Sequence, residues 1–234
     1  MTLSEEEKER YSRHIRIENF GEESQLKLKK GRVLVIGVGG LGCPVIQYLV
    51  AAGIGQIGIV DGDTVSLSNL QRQILYSENE IGQSKVEIAA SKMDDLNKFV
   101  DIKTYNEFLT SESADTIFPN YDLVVGCTDS YGTRYLIDKK SIEHNIPFIH
   151  GAIFEFEGQL SVFNYKGSPS YADIFGAQPA ELSAPGGVVG AIPGIIGSLM
   201  AMEVIKILTE LGTVLSNNLF LYNGLKNTFT HINI

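Results

Sequence analysis

The stretch Arg32-Val33-Leu34-Val35-Ile36-Gly37-Val38-Gly39-Gly40-Leu41-Gly42 decides the fold. Arg32 to Ile36 is a short run rich in β-branched apolar residues, the pattern of a strand buried in a parallel sheet. Gly37, Gly39 and Gly42 then form a G-x-G-x-x-G turn. Pro44 to Ala52 reads as a helix, with Pro44 in its first turn and Gly53 just past its end. Such a strand, glycine turn and helix bring backbone N–H groups to a helix N-terminus, where they can approach phosphate.

Working outward, Gln56 to Val60 is a second strand ending at Asp61, Asp101 to Tyr105 a third and Tyr121 to Cys127 a fourth. Ser84 to Lys98 is an amphipathic helix, with Val86, Ile88, Ala89, Met93 and Leu96 on one face. Tyr131 to Asn145 is a further helix and Pro147 to Gly151 a fifth strand. Strands alternating with helices imply right-handed β-α-β units and a mostly parallel sheet. Upstream, Glu5 to Asn19 reads as a charged N-terminal helix. After Gly151 the pattern changes. Gly158 to Tyr165 is a strand with no helix following it. Lys166 to Gly187, with Pro169, Pro179 and Pro185, is long enough to be a lid or binding loop. Ile192 to Leu208 is an apolar helix with small residues suited to close packing, and Leu219 to Tyr222 with Thr228 to Ile234 forms a terminal hairpin. The expected fold is α/β: a Rossmann-like, mostly parallel sheet with flanking helices, an N-terminal helix, a long crossover loop and antiparallel C-terminal strands. Residues 1–234 form one domain, with a nucleotide-binding part over about 30–151 and the crossover loop and C-terminal part over about 152–234.

The chain has 234 residues, 44% of them hydrophobic, which is enough to fill the core of one large α/β domain. A net charge of −9 disfavours a phosphate-rich polymer, so nucleic acid is not an expected partner. The apolar runs read as shorter than a membrane span and Glu5 to Arg10 is too charged for a signal peptide, so no membrane association and a cytoplasmic location are expected. The two cysteines, Cys43 and Cys127, form no C-x-x-C pair. Both read as packed, as do Met200 and Met202. His14, His144, His150 and His231 share no spacing and are assigned no role.

Asp61 follows Gly42 by about 20 residues, the distance at which a carboxylate meets ribose hydroxyls in dinucleotide folds. Taken alone, that turn and Asp61 suit an NAD-dependent oxidoreductase. The residues beyond do not. Asp63 is followed by the polar run Ser68-Asn69-Leu70-Gln71-Arg72-Gln73 and by Ile81-Gly82-Gln83-Ser84-Lys85. Arginine and lysine are ordinarily surface charges. Arg72, however, sits among uncharged donors with no competing carboxylate, which suits a polyphosphate, and a guanidinium and an ammonium can clamp charge developing on a phosphoryl group. Asp129 follows a buried strand at the edge of the sheet where ligands bind. It can serve as a Mg²⁺ ligand or cap the next helix, a task for which Ser130 is equally suited.

The segments G-V-G-G-L-G-C (37–43), D-G-D-T-V-S-L-S-N-L-Q-R-Q (61–73), I-G-Q-S-K (81–85), C-T-D (127–129), G-V-V-G (187–190) and P-G-I-I-G-S-L-M-A-M-E-V-I-K (193–206), with R-Y-S-R (10–13), together resemble the ThiF/MoeB/HesA family, bacterial relatives of ubiquitin-activating enzymes. The resemblance runs from about Arg10 to Tyr222. It implies an adenylyltransferase that uses ATP and Mg²⁺ to activate the C-terminal glycine carboxylate of a small ubiquitin-like sulfur-carrier protein ending in Gly-Gly, releasing pyrophosphate, in thiamin, molybdopterin or related sulfur transfer. By the same resemblance Gly37, Gly39, Gly40 and Gly42 lie against the nucleotide and Asp61 holds the ribose. Ser68, Asn69, Leu70, Gln71 and Arg72 line the phosphates, Lys85 binds phosphate near the reacting centre, and Asp63 and Gln73 also belong to the ATP site. Asp129 coordinates magnesium, with Ser130 beside it. Arg13 reaches the site of the other subunit of a homodimer. Arg72, Lys85, Asp129 and Arg13 carry the catalysis.

Three departures modify that expectation. Many members carry C-x-x-C pairs for zinc. Ser170-Tyr171-Ala172-Asp173 stands where the first would fall and the second is absent, so no zinc site is expected. Ser183 replaces the crossover-loop cysteine that some members use in covalent sulfur chemistry. No rhodanese-like domain follows, so a separate sulfur donor protein is expected. A non-catalytic partner-binding relative is the remaining alternative.

Overall fold

The computed structural model describes residues 2–178 and 186–234; Ser183 lies outside the described residues. Its helices are α1 (Glu5–Arg10), α2 (Ser12–Ile15), α3 (Gly21–Lys30), α4 (Gly42–Ala52), α5 (Lys85–Leu96), α6 (Ser111–Ile117), α7 (Tyr131–Glu143), α8 (Tyr171–Phe175) and α9 (Ala191–Thr209). Strands β1 (Arg32–Ile36), β2 (Gln56–Val60), β3 (Asp101–Tyr105), β4 (Leu123–Gly126) and β5 (Phe148–Phe154) pair in parallel in the order β3-β2-β1-β4-β5. Strands β6 (Glu157–Phe163), β7 (Asn218–Asn223) and β8 (Thr228–Asn233) continue the same sheet antiparallel, giving 8 strands.

The strand order fixes where a ligand can enter. From β1 the chain moves to β2 and β3 on one side, and then returns to β4 and β5 on the other. The crevice of an open α/β sheet lies at that switch, outside the carboxyl ends of β1 and β4. The glycine turn leaves β1 there, and Asp129 follows β4.

Alternation along each strand divides the core in two. Val33 and Val35 face the layer built by α3, α4, α5 and α9, while Leu34 and Ile36 face α6, α7 and α8. Helix α9 is long and apolar enough to cross a membrane by length and composition alone, contrary to the reading of the sequence. It packs instead against α4, α3, β5 and β6. Ile196, Met200 and Val204 are fully buried there, whereas Met202 is 52% exposed and is not core filler.

Other departures have local causes. The expected helix over Glu5–Asn19 is two short ones, broken at Tyr11 (φ −94°, ψ 13°). The Tyr11 ring is buried and its hydroxyl accepts from Asn97 Nδ2 at 2.9 Å. Helix α3 carries no hydrophobic stripe because its buried face is largely polar: Ser24 and Gln25 lie inside with Leu28. Gln25 is satisfied there by the Ala52 carbonyl at 2.8 Å and by His14 Nδ1 at 3.0 Å. Helix α8 interrupts the expected structureless loop, and Leu96, assigned to the apolar face of α5, is exposed.

Candidate functional site

The glycine turn is built for close approach. Gly37 has φ +92°, a conformation that strains any side chain, and a Cβ there would meet the Cys127 carbonyl oxygen at 2.7 Å. A Cβ on Gly42 would collide with the Gly37 carbonyl, so Gly42 is needed for packing within the turn and does not line the cleft. Gly39 and Gly40 do line it, packed closely against Gln73 and against Pro193 and Arg72 respectively.

Asp61 locks the turn to the end of β2. Its carboxylate accepts the Val38 N–H at 2.8 Å through Oδ2 and the Asp63 N–H at 2.9 Å through Oδ1. Asp63 in turn accepts from Lys85 Nζ at 2.9 Å. Lys85 opens α5 and its side chain is only 3% exposed, so its ammonium is a buried charge held by one carboxylate at the cleft. Tyr76 adds a stitch that the sequence did not announce. Its buried hydroxyl donates to the Val38 carbonyl at 2.9 Å and lies 3.4 Å from that of Lys85. Cys43 and Cys127 are both buried; burial pushes the Cys43 thiol up to about 12, which leaves it inert as a nucleophile.

The polar run divides by direction. Asn69, Arg72 and Gln73 line the cleft. Gln73 is 4% exposed and, among the described residues, its Oε1 has no hydrogen-bond partner, a buried acceptor at the cleft wall. Arg72 is steadied by the Ser68 carbonyl, which accepts from Nη1 at 3.2 Å. Ser68 is itself exposed, Leu70 packs against the core, and Gln71 donates to the Val188 carbonyl at 3.4 Å. Those three, expected at the phosphates, shape the run and do not line the cleft of this chain.

At the end of β4 the geometry assigns the helix cap. Ser130 caps α7, its Oγ accepting the Thr133 N–H at 3.3 Å. Asp129 is thereby left lining the cleft, and among the described residues its carboxylate makes no hydrogen bond or ion pair. Arg134, one turn into α7, is a cleft residue that sequence reasoning missed. It is 8% exposed, donates from Nε and Nη2 to the Thr128 carbonyl at 3.2 and 3.1 Å, and lies over the Tyr131 ring. Among the described residues no carboxylate pairs with it. Its signal was weak, an arginine within a helix that otherwise reads as ordinary.

Arg13 is exposed on α2 and is not part of the cleft within one chain. Glu107, Phe108 and Leu109, after β3, close the side opposite Asp129 and carry no recognisable local motif. A broader hollow lined by Glu87, Asp94, Lys98 and Asp101 lies at the amino edge of the sheet, away from the glycine turn.

The segment expected to replace a zinc site is self-sufficient. Ser170 and Asp173 form a capping box at the start of α8, and Asp138 of α7 accepts the Tyr171 N–H at 2.8 Å and the Ala172 N–H at 3.1 Å. Among the described residues no cluster of three or more His, Cys, Asp or Glu side chains is placed to hold a metal.

A parallel sheet with a glycine turn, an acidic strand end and three cations around one cleft defines a nucleotide-binding α/β protein. Residues 11–234 match the ThiF family, and the chain belongs to it. It is 43% identical to a probable molybdopterin-synthase adenylyltransferase of Porphyra purpurea, over 100% of this chain and 62% of that protein. It is 43% identical to the adenylyltransferase and sulfurtransferase MOCS3 of Anopheles gambiae, over 99% of this chain and 54% of that protein. The chain thus spans little more than half the length of these two relatives. A sulfur carrier protein adenylyltransferase of Thermus thermophilus is 39% identical, with 100% of this chain and 90% of that protein covered. Among solved structures, PaaA shares the fold with a TM-score of 0.86 at 22% identity, over 100% of this chain and 75% of that one. E. coli MccB with ATP does so with a TM-score of 0.84 at 22% identity, over 96% and 71%.

Proposed function

We propose that this chain is an ATP-dependent adenylyltransferase that activates the C-terminal glycine carboxylate of a small ubiquitin-like sulfur carrier as an acyl-adenylate. One observation carries the reading: Lys85, Arg72 and Arg134 converge on the cleft at the glycine turn, where a dehydrogenase needs no such charge. The names of the Porphyra and Thermus relatives support it.

The carrier's carboxylate is already a nucleophile, so no general base is needed. What the protein supplies is position and charge. The turn amides and Gln73 offer donors and an acceptor to the nucleotide. Lys85 and Arg72 neutralise charge on the α-phosphate and the departing pyrophosphate. Asp129, without a partner among the described residues, suits a hard cation, and Mg²⁺ bound there would supply further neutralisation of the triphosphate. An NAD-dependent oxidoreductase leaves Lys85, Arg72 and Arg134 without a task.

The reading includes a homodimer. Arg13 stands outside its own cleft, and Leu67 and Ile74, bracketing the polar run, are 66% and 68% exposed, apolar surface that a second copy would cover. It also includes a separate sulfur donor protein, a cytoplasmic setting, and a carrier of molybdopterin or thiamin synthesis.

Carrier-dependent exchange of labelled pyrophosphate into ATP tests the reaction. Exchange with one Gly-Gly-ended carrier of the source organism is expected. Exchange with none of them, in protein that binds ATP and Mg²⁺, would refute carrier adenylation.

A further inference from the structure

Tyr76 stands where three parts of the cleft wall meet. It follows the polar run, and its N–H donates to the Gln73 carbonyl at 3.1 Å. Its hydroxyl donates to the Val38 carbonyl of the glycine turn at 2.9 Å and lies 3.4 Å from the carbonyl of Lys85, the first residue of α5. These contacts close a circuit. The Val38 and Asp63 N–H groups both go to the Asp61 carboxylate. Lys85 grips Asp63 twice, through Nζ and through its own N–H, which donates to the Asp63 carbonyl at 3.1 Å. Tyr76 then leads from Lys85 back to Val38. Its ring is 7% exposed. Its backbone is pinned on both sides: the Leu75 carbonyl accepts from Lys92 Nζ at 2.7 Å, and the Ser77 N–H donates to the Glu80 carboxylate at 2.7 Å.

The Val38 carbonyl matters for what shares its peptide. It and the Gly39 N–H belong to one planar trans unit and point in opposite directions. The carbonyl is aimed inward, at the Tyr76 hydroxyl and, at 3.4 Å, the buried Cys43 thiol. The Gly39 N–H is therefore aimed the other way, and Gly39 lines the cleft. The Gly39 carbonyl is already taken by the Cys43 N–H at 3.0 Å, whereas among the described residues the Gly39 N–H donates to no protein group. A thiol is a weak donor, so the phenol is the group that fixes this plane.

We propose that Tyr76 is a positioning residue: by gripping the Val38 carbonyl, its hydroxyl holds the Gly39 N–H toward the cleft, where a phosphate oxygen of the nucleotide accepts it. This rests on the cleft being a nucleotide site. Tyr76 does not line the cleft itself, and its effect passes through one peptide plane. Without the hydroxyl that plane is free to tilt. Nucleotide must then order it on binding, at the expense of affinity.

The test is calorimetric titration of the full chain with ATP and Mg²⁺, comparing wild type with Tyr76→Phe, which keeps the ring and loses only the hydroxyl. The variant is expected to bind ATP about tenfold more weakly, the scale of one hydrogen bond to a charged group. Amide hydrogen exchange separates positioning from loosening. Without nucleotide, the Cys43 amide, which bonds to the Gly39 carbonyl, should exchange at the same rate in both proteins. A merely structural role would instead speed that exchange along with the loss of affinity, and this result overturns the proposal. Wild-type affinity in Tyr76→Phe also overturns it, and both results leave the nucleotide site standing. Wild-type protein that does not bind ATP overturns the site and the proposal together. A last measurement needs no variant: saturating ATP and Mg²⁺ should slow exchange at the Gly39 amide of wild type, and unchanged exchange in protein that binds ATP overturns the proposal.

Discussion

At the scale of single residues, the cleft is organised by buried polar groups with one partner each. Lys85 illustrates this. An ammonium 3% exposed and tied to Asp63 at 2.9 Å has a fixed direction, which a surface lysine lacks. Lys85→Met should leave the fold intact and lower pyrophosphate exchange about a hundredfold, the scale seen when one charge-stabilising group is lost. Asp63→Asn should lower it less, and adding Asp63→Asn to Lys85→Met should cost nothing further if Asp63 acts only through Lys85; exchange assays on the three variants decide. His150 is the other residue with a sharp consequence. It lies fully buried on β5, and burial, with the Arg134 charge, pushes its pKa well below the usual value. The unfolded chain therefore binds a proton that the folded chain does not, so stability is present above the ordinary histidine pKa of about 6.5 and falls as pH drops through it. Between pH of about 6.5 and 5.5 the wild type should lose about 1 kcal/mol more than His150→Leu, measured by urea denaturation.

At the scale of elements, legibility followed the source of each element's stability. Strands β1, β2 and β4, and helices α4, α5 and α9, bury continuous apolar faces, and hydrophobic pattern alone located them to within a few residues. Helix α3 was not legible because its inner face is Ser24 and Gln25. Helix α8 was not, because five residues are too few for a period and its anchor lies on another helix. The cleft divides similarly. Glycines and charges with sequence signatures were found, whereas Arg134 and Phe108 reach it, and Tyr76 braces the turn behind it, through tertiary placement that no local pattern encodes. Ser68, Leu70 and Gln71 lie in a motif that is read as one unit, but the chain turns through a 3-10 helix over Leu67–Asn69, and only Asn69, Arg72 and Gln73 of the run line the cleft. The α8 anchor makes its own prediction. Asp138 is 2% exposed and accepts the Tyr171 and Ala172 N–H groups and Asn164 Nδ2, the last at 3.2 Å. Asp138→Ala strands those donors and should cost about 2–4 kcal/mol in urea denaturation, with the largest rise in amide exchange confined to α8.

At the scale of the whole molecule, the position of Arg13 matters most. A residue implied in catalysis by family resemblance, yet exposed on α2 outside its own cleft, makes each site the joint property of two chains in the proposed dimer. Arg13→Ala and Arg72→Ala homodimers should both be nearly inactive. Co-expressed, they should recover about a quarter of wild-type exchange, because half of randomly paired dimers are mixed and each mixed dimer keeps one whole site. No recovery would place Arg13 within its own subunit's chemistry, and an active Arg13→Ala homodimer would place it outside the reaction. The anchor of α8 also has a consequence for how the protein tolerates its surroundings. Asp138, Asn164, Ser170 and Asp173 hold that helix with oxygen and nitrogen atoms alone, and both thiols of the chain are buried elsewhere, beneath the glycine turn. A zinc–thiolate staple fails when a chelator strips it or an oxidant consumes its sulfurs. This one offers neither handle, so excess EDTA or mild peroxide should leave the melting temperature where it was, and the fold, unlike the Mg²⁺-dependent reaction proposed for it, would be insulated from zinc supply and oxidation.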